Sequence, residues 1–358
     1  MMQRCTSNGK RVAPTRHAVP VHVSRRPTLA DVAARAGVSI RTAANVVSGE
    51  GRVSASTRER VRGVVEELGY APNRAAQQLR RGWTGIVGLA VPEIDSPYFA
   101  ELASHVVRSA ERRGRTVHVV QTDGDLGRER QVLSGRRGQG IDGLLLSPWA
   151  LPPEDIRNEA GGPPVVLLGE RSGAVDHVAV DNVTAAQEAT RHLLEQGRRR
   201  IAAVGLQPHL NNGTALLRLE GHRRALAAGG VPADPRLEVR VDRLHHADGA
   251  AAVHALRDAG VVYDALFCFT DQLALGALSA LARLGRTVPG EVAVVGFDDV
   301  EAARWSTPSL STVVPDKARL AEAALSCLVS RLRDPELPPR DVVVGHHLAV
   351  RESSTPTR

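Results

Sequence analysis

Seven short, nearly continuous apolar segments follow Gly85, and they constrain the fold more than any other feature of the sequence. They read GIVGLAV, RTVHVVQ, IDGLLLS, PVVLL, RIAAVGL, DALFCFT and EVAVVGF. Helical patterns alternate with most of them, for example at 97–113, 182–196, 216–228, 271–284 and 315–333. Apolar strands flanked by helices are typical of parallel sheets that are covered on both faces. The region is too long for one compact sheet, so it predicts two doubly wound α/β subdomains, with ligands bound beyond the carboxyl ends of the strands.

Residues 27–82 have a different pattern, which predicts a compact all-α unit. The first helix shows the spacing of one apolar helix face, at Leu29, Val32, Ala33 and Ala36. Thr28 can cap this helix, and Gly37 can form the sharp turn that ends it. Ser54 can cap a later helix that runs from about residue 55 to residue 68.

Between these helices, the segment GVSIRTAANVVSG predicts a short helix capped by Ser39. One face is apolar, with Val38, Ala43, Val46 and Val47, and the other carries Ile40, Arg41, Thr42 and Asn45. Two helices joined by a tight turn form a helix-turn-helix, whose second helix reads base edges in the major groove of DNA. In that role Arg41 can bind guanine, Asn45 adenine or phosphate, and Ile40 a thymine methyl group, while Ser39 can bind a phosphate. An ordinary helical hairpin with a solvated face is the alternative.

The distribution of charge favours the DNA-binding interpretation over the ordinary helical hairpin. Residues 1–82 contain 15 Lys or Arg and 5 Asp or Glu, a net charge of +10, whereas the rest contains 31 and 34, a net charge of −3. A basic end on a nearly neutral body favours a polyanionic partner. Residues 1–26 are basic, contain no acidic residue and lack apolar periodicity, which predicts a disordered arm. This arm either contacts DNA phosphates or is not part of the native product.

The stretch TLADVAARAGVSIRTAANVVSG, followed by RVSASTRERVRGVVEELGYAPNRAAQQLR, resembles the DNA-binding head of the lactose-repressor (LacI) family of bacterial transcriptional regulators. The resemblance implies that YAPNRAAQQL is the family's hinge helix, which enters the minor groove at the operator centre. Leu79 would then be the apolar wedge between base pairs, with Asn73, Ala76 and Gln77 beside it. Packing of Leu79 against the core is the alternative. Ala44 and Asn45 replace the family's typical serine and arginine, so operator preference is not carried over from a relative.

The resemblance continues to about residue 352, through VAVDN, GRRRIAAVG and DQLALGALSALARLGRTVPGEVAVVGFDD. It implies a periplasmic-binding-protein-like core that binds an effector. By this resemblance Arg218 and Asp298 are effector ligands, and Tyr98 and Phe99 form an aromatic pair at the pocket edge. An arginine and an aspartate that face each other across a cleft suit a polyhydroxylated ligand. A structural ion pair and simple packing are the respective alternatives.

Further effector candidates come from position along the chain. Asp271 follows a strand at its carboxyl end, where it either faces the ligand or caps a helix. Asn212 and Thr214 precede Arg218 on an expected loop. Leu244 stands where many family members have a stacking aromatic residue, a function that Trp149 or Trp305 would have to supply.

Enzymatic chemistry is not expected, because the sequence contains no HExxH, GxSxG or GKS/T motif. We expect no cofactor and no metal. The cysteines, Cys5, Cys268 and Cys327, form no CxxC pair and predict free thiols. No apolar run approaches the roughly 18 residues of a membrane helix, and no apolar signal-peptide segment follows the basic N-terminus, which together predict a cytoplasmic protein.

The sequence therefore predicts a homodimeric transcriptional repressor that binds a pseudo-palindromic, double-stranded operator and responds to a sugar-like effector. Control by a corepressor or a protein partner is the alternative. A stand-alone solute-binding protein is a further alternative, but it would have the core without the head.

The expected domain boundaries are an arm at 1–26, the head and hinge at 27–82, the core at 83–352 and a tail at 353–358. Within the core, we expect a first subdomain from 83–170 plus 313–335 and a second from 171–312 plus 336–352.

Overall fold

The computed structural model describes residues 27–49, 51–70, 83–135, 140–157, 162–169, 173–210 and 213–355. The chain divides into two compact units, residues 1–81 and residues 82–358. The arm predicted at 1–26 lies outside the described residues.

The described part of the first unit consists of α1 (Leu29–Ala36), α2 (Ile40–Ser48) and α3 (Ala55–Glu67). The Thr28 hydroxyl accepts the N–H of Asp31, and the Asp31 carboxylate accepts the N–H of Thr28, so α1 begins with a capping box. Gly37 has a φ of 63° and turns the chain towards α2. The helices enclose a small apolar cluster of Val32, Ala33, Ala36, Ala43, Val46, Val61 and Val64. The three helices predicted before the hinge and their caps are confirmed, whereas the predicted hinge helix lies outside the described residues.

The first subdomain of the second unit is a parallel sheet in the order β11-β5-β4-β3-β1-β2. Its described strands are β1 (Ile86–Val91), β2 (Thr116–Gln121), β3 (Gly143–Leu146), β4 (Val165–Leu168), β5 (Asp176–Val180) and β11 (Asp341–Val344). The helices that belong with it are α4 (Pro97–Glu111), α5 (Leu126–Leu133) and α11 (Lys317–Arg333).

Both faces of this sheet are covered, which explains the uninterrupted apolar runs of the sequence. On β3, Leu145 packs in the cluster that contains Leu320 of α11, whereas Leu144 and Leu146 pack in the cluster that contains Val132 of α5. Side chains alternate between the two faces of a strand, so every position of β3 has to be apolar.

The second subdomain is a sheet in the order β12-β10-β9-β8-β6-β7, parallel except for β12, which runs antiparallel to β10. Its described strands are β6 (Ile201–Leu206), β7 (Glu238–Arg240), β8 (Ala265–Cys268), β9 (Ala293–Phe297), β10 (Ser311–Pro315) and β12 (His346–Ala349). Its helices are α6 (Asn182–Glu195), α7 (Gly213–Ala228), α8 (His246–Asp258), α9 (Asp271–Arg283) and α10 (Glu301–Trp305).

Helices α8 and α9 pack with their backbones in contact. A Cβ atom on Gly276 would lie 1.9 Å from the carbonyl oxygen of His246, and one on Gly249 would lie 2.0 Å from that of Leu273. Neither position has room for a side chain, so these two glycines fix how closely α8 approaches α9.

Within the described residues the chain passes between the two sheets after β5, after β10 and between β11 and β12. The expected boundary at 170/171 assigned β5 to the second subdomain, and the expected segment 336–352 did the same for β11. The structure corrects both assignments. β5 pairs with β4, and β11 pairs with β5. The buried carboxylate of Asp176 on β5 accepts Nε of Arg331 in α11 and the backbone N–H of Arg340 next to β11, which holds both elements against the first sheet.

The expected tail at 353–358 is also corrected in its described part. Ser353 and Ser354 are fully buried against the second sheet. The Ser353 hydroxyl donates to the carbonyl of Val294 at 2.6 Å, and Ser354 contacts His192 at 2.8 Å. These residues are an integral part of the second subdomain. Among the described residues, no helix combines the length and apolar character needed to cross a membrane.

Candidate functional site

The exposed face of helix α2, at the surface of the first unit, carries both polar and apolar side chains. Ala43 and Val46 are buried, whereas the Ile40 side chain is 55% exposed and Arg41 is exposed beside it. The Ser39 hydroxyl caps α2 by accepting the N–H of Thr42 at 3.1 Å, and the two hydroxyls lie 2.8 Å apart. The first turn of α2 therefore offers a helix N-terminus, two hydroxyls, one guanidinium and one apolar side chain.

Asn45 is positioned differently from its neighbours on this face. Its side-chain amide is half-buried and packs against Gly51, where a Cβ atom would lie 2.8 Å from Nδ2. Gly51 has a φ of 82°, so both the conformation and the contact favour glycine there. The predicted hinge residues Asn73, Ala76, Gln77 and Leu79 lie outside the described residues.

The second unit contains a cleft at the carboxyl ends of both sheets, and it encloses about 920 Å³ when the space at its mouth is included. Its wall from the first subdomain includes Tyr98, Phe99 and Trp149. The wall from the second subdomain includes polar, aromatic and aliphatic residues, among them Asn182, Thr214, Arg218, Leu244, Phe269, Thr270, Gln272, Phe297 and Asp298. A largely apolar cleft with a few convergent polar groups is the usual form of a small-molecule site.

Arg218 is held firmly in this cleft. Its Nε donates to Oδ1 of Asn182 at 2.9 Å, and Nη1 donates to the carbonyl of Phe269. The guanidinium carbon lies 3.5 Å from the centroid of the Phe297 ring, a cation–π contact. These contacts fix the plane of the guanidinium, which suits it to bidentate hydrogen bonding.

Asp298 shares the wall with Arg218, since both residues belong to the second subdomain. The expectation that they face each other across the cleft is therefore corrected. The Asp298 side chain is 5% exposed, and its φ of 120° is unusual for a residue other than glycine. Lys317 donates to the carbonyls of Asp298 and Asp299 at 2.7 and 3.2 Å and also pairs with Glu101. Burial raises the pKa of Asp298, and the nearby cations Arg218 and Lys317 oppose that rise.

Aromatic rings converge on the cleft from the first subdomain. Tyr98 and Phe99 stack edge to face with centroids 5.1 Å apart, and Phe99 lies 6.0 Å from Trp149. The loop that carries Trp149 is anchored by Glu129 of α5. This fully buried carboxylate accepts the N–H groups of Trp149, Ala150 and Leu151 at 2.8, 3.1 and 2.8 Å. Trp305, the other suggested ring, is 79% exposed and does not line the cleft.

Comparison with known proteins assigns both units. The family described as "Bacterial regulatory proteins, lacI family" matches residues 28–73, and "Periplasmic binding protein-like domain" matches residues 190–354. The HTH-type transcriptional regulator CelR of Thermobifida fusca is 36% identical over 340 residues, which cover 92% of this chain and 98% of that protein. The chain belongs to the lacI family of bacterial regulatory proteins. It is a transcriptional regulator with a helix-turn-helix DNA-binding head.

Two solved structures of LacI-family regulators are similar to this chain over most of its length. The complex of CelR with cellobiose has a TM-score of 0.69 and 33% identity, covering 92% of this chain and 100% of that one. The lac repressor dimer bound to operator and the anti-inducer ONPF has a TM-score of 0.82 and 25% identity, covering 92% and 99%. The predicted family, the head and the periplasmic-binding-protein-like core are confirmed.

For this LacI-family core, the structure corrects one predicted site residue. Asp271 is fully buried and does not line the cleft. Its carboxylate accepts the N–H of Val300 at 2.9 Å and the hydroxyl of Thr312 at 2.6 Å, so it ties the start of α10 and strand β10 to α9. Its chain neighbours Thr270 and Gln272 line the cleft instead.

Other site residues show what sequence reasoning missed. Thr214 lines the cleft but lies in the first turn of α7, not on a loop, and Asn212 lies outside the described residues. Asn182 was not singled out, although the motif VAVDN ends on it, and Glu93 gave no sequence signal because its partners lie about 150 residues away. Within the described ranges, no group of three His, Cys, Asp or Glu side chains is arranged to hold a metal ion.

Proposed function

We propose that this protein is a cytoplasmic, homodimeric repressor whose affinity for a pseudo-palindromic operator is controlled by a neutral, sugar-like molecule in the cleft of its core. One observation carries the effector part of the proposal: a fixed guanidinium, a buried carboxylate and an asparagine share one wall, opposite a cluster of aromatic rings. Paired hydrogen bonds at the rim and stacking on an apolar face are the chemistry that recognises a polyhydroxylated ring. The similarity to a CelR–cellobiose complex supports the same class of ligand.

The outer face of α2 supports the DNA-binding part of the proposal. Arg41 and Ile40 are exposed at the first turn, where a recognition helix contacts base edges. Ser39, together with the helix N-terminus, suits a phosphate, and Thr42 lies beside it. Asn45, which is half-buried beside Gly51, remains a proposed base or phosphate contact. Asn73, Ala76, Gln77 and Leu79 remain the proposed hinge contacts in the minor groove.

The first experiment is selection of genomic fragments by the purified protein, followed by sequencing. We expect one short palindrome. Recovery of scattered, salt-sensitive fragments alone would mean that the head binds phosphates without reading sequence, which contradicts the proposal.

The role of Arg41 is then tested on that palindrome. Arg41→Ala should weaken binding by about 1–3 kcal/mol and relax the preference at one base pair per half-site. Arg35→Ala is the matched control, because it removes the same charge from a residue that pairs with Glu67 of α3. A selected motif that is unchanged by Arg41→Ala would exclude Arg41 from base reading.

The effector is sought by titrating cellobiose, other neutral sugars and free purine bases against the operator complex. Arg218→Ala should abolish the response and leave operator affinity intact. Arg224→Ala, on the exposed face of the same helix and paired with Glu220, is the control. A response that strengthens DNA binding would replace the inducer by a corepressor, and a response that requires a protein partner would replace it by control through that partner.

A further inference from the structure

The two subdomains are joined across the mouth of the cleft by a polar contact among three residues. Glu93 lies in the loop between β1 and α4 of the first subdomain, whereas Arg243 and His245 lie between β7 and α8 of the second. One carboxylate oxygen of Glu93 accepts Nη2 of Arg243 at 2.8 Å, and the other lies 2.8 Å from Nε2 of His245. Each oxygen of one carboxylate therefore has its own partner on the opposite subdomain.

This contact is asymmetric in its burial. Glu93 is 5% exposed, whereas the Arg243 side chain is 62% exposed. Burying a carboxylate is unfavourable without a compensating partner. Loss of Arg243 therefore destabilises the form in which Glu93 is buried relative to the form in which Glu93 is solvated. Because its partners belong to the other subdomain, Glu93 becomes solvated when the two subdomains separate.

The contact also closes over the cleft. Leu244 lies between Arg243 and His245 in the chain, and both Leu244 and Glu93 line the cleft. The backbone N–H of Arg243 donates to the carboxylate of Asp248 in the first turn of α8, which fixes the segment to that helix. The segment 243–245 is thus a short flap, attached to α8 and fastened to the first subdomain through Glu93.

We propose that Glu93, Arg243 and His245 form a gate over the cleft, which is closed when the carboxylate holds both partners and opens when the subdomains separate. Only one consequence of the gate rests on the proposed function, namely that the gate limits entry and exit of the effector. Its mechanical part concerns the ligand-free protein and is testable without a ligand.

The test measures the distance between the subdomains in the full-length protein. Spin labels are placed at two exposed sites, by His118→Cys on β2 and Val262→Cys before β8, in a Cys5→Ser background. Cys268 and Cys327 are buried and do not compete for the label. Pulsed EPR of the labelled chain, mixed with an excess of unlabelled chain so that a dimer carries at most one labelled protomer, then gives the distribution of distances within a protomer for each gate variant.

The gate predicts a specific order among these variants. Glu93→Gln and Arg243→Glu should broaden the distribution and shift the ratio of open to closed molecules towards open by roughly tenfold or more. Arg243→Lys should keep most of the closed population. Arg240→Glu makes the same charge change at an exposed site three residues earlier and should leave the distribution unchanged. Since Arg243 is exposed, Arg243→Glu is expected to fold even where Glu93→Gln is impaired.

A second readout reports access to the cleft itself. With Trp83 and Trp305 replaced by phenylalanine, acrylamide quenching reports on Trp149 in the cleft wall. Quenching should rise in Arg243→Glu and stay unchanged in Arg240→Glu.

The proposal would be overturned if both Glu93→Gln and Arg243→Glu gave the same distance distribution and the same quenching as the protein with Glu93 and Arg243 unchanged. If these variants open the cleft but no small molecule alters operator binding, the gate stands and the proposed function fails. If a sugar alters operator binding while the distances stay the same in both variants, the proposed function stands and the gate fails.

Discussion

Replacing Glu129 by alanine should destabilise the first subdomain, because one fully buried carboxylate satisfies three consecutive backbone N–H groups. A buried N–H without a partner costs about 1–3 kcal/mol. Trp149 and Ala150 are half-buried and can recover part of this from water, whereas Leu151 is 3% exposed and cannot. The expected loss for Glu129→Ala is therefore about 2–5 kcal/mol in the free energy of unfolding.

Glu129→Gln is the matched control, because it keeps the shape and one acceptor oxygen. The amide nitrogen of glutamine would replace one carboxylate oxygen, and it cannot accept the backbone N–H that this oxygen accepts in the wild-type protein. The expected loss is therefore about one hydrogen bond, near 1–2 kcal/mol in the free energy of unfolding. Removal of the buried charge offsets part of that loss, since burial raises the pKa of Glu129 and so opposes ionisation.

Urea unfolding measures both variants, followed by the fluorescence of Trp149 with the other two tryptophans replaced. Trp149 also reports on the loop directly, because alanine at 129 should make its environment more heterogeneous before global unfolding. A loss below about 1 kcal/mol for alanine, or equal losses for alanine and glutamine, would refute the assignment of Glu129 as the anchor of this loop.

Two further predictions concern packing and pH. Gly276→Ala should lower the free energy of unfolding by about 1–3 kcal/mol, because the added Cβ would force α8 away from α9. Gly63→Ala on α3, where a Cβ meets open space, should instead stabilise the head by about 0.5–1 kcal/mol. Calorimetry of the unfolding of the head and of the core checks both, and an unchanged stability for Gly276→Ala would contradict the close approach of the two helices. Burial lowers the pKa of His222 to about 4, so the unfolded chain binds the proton first as the pH falls below 6.5, and His222 should account for a loss of about 2 kcal/mol of stability between pH 7.5 and pH 5. His222→Gln should remove that part of the pH dependence, and equal slopes for the two proteins would exclude it.

The sequence was sufficient for elements whose patterns are local. The caps at Thr28, Ser39 and Ser54 and the apolar strands that are buried on both faces could be predicted because the neighbouring residues determine them. Strands β7, β11 and β12 were not predicted because they are short, half-exposed strands at sheet edges. Strands β5 and β10 are buried but were not predicted either, because Asp176, His177, Ser311 and Thr312 interrupt their apolar pattern. Helix α8 was missed because small residues fill the face that packs on α9.

The same distinction applies to the cleft. Arg218 and Asp298 were reached by resemblance, and both line the cleft, but the strand-end rule does not say which way a side chain turns. Asp271 sits at the carboxyl end of β8 and turns towards Val300 and Thr312 instead. Glu93 depends on partners far along the chain, and no local pattern identifies such contacts.

The three passages of the chain between the sheets bear on how the protein is synthesised. The first sheet remains without its edge strand β11 and its covering helix α11 until almost the whole chain has been translated, because these elements are encoded at 317–344. Helices α1 to α3 need only local contacts and can fold as soon as they leave the ribosome. A nascent chain would thus carry a folded DNA-binding head well before it carries a core able to sense a ligand. An incomplete chain released after late stalling of the ribosome would contain a folded head but no complete core through which an effector could act.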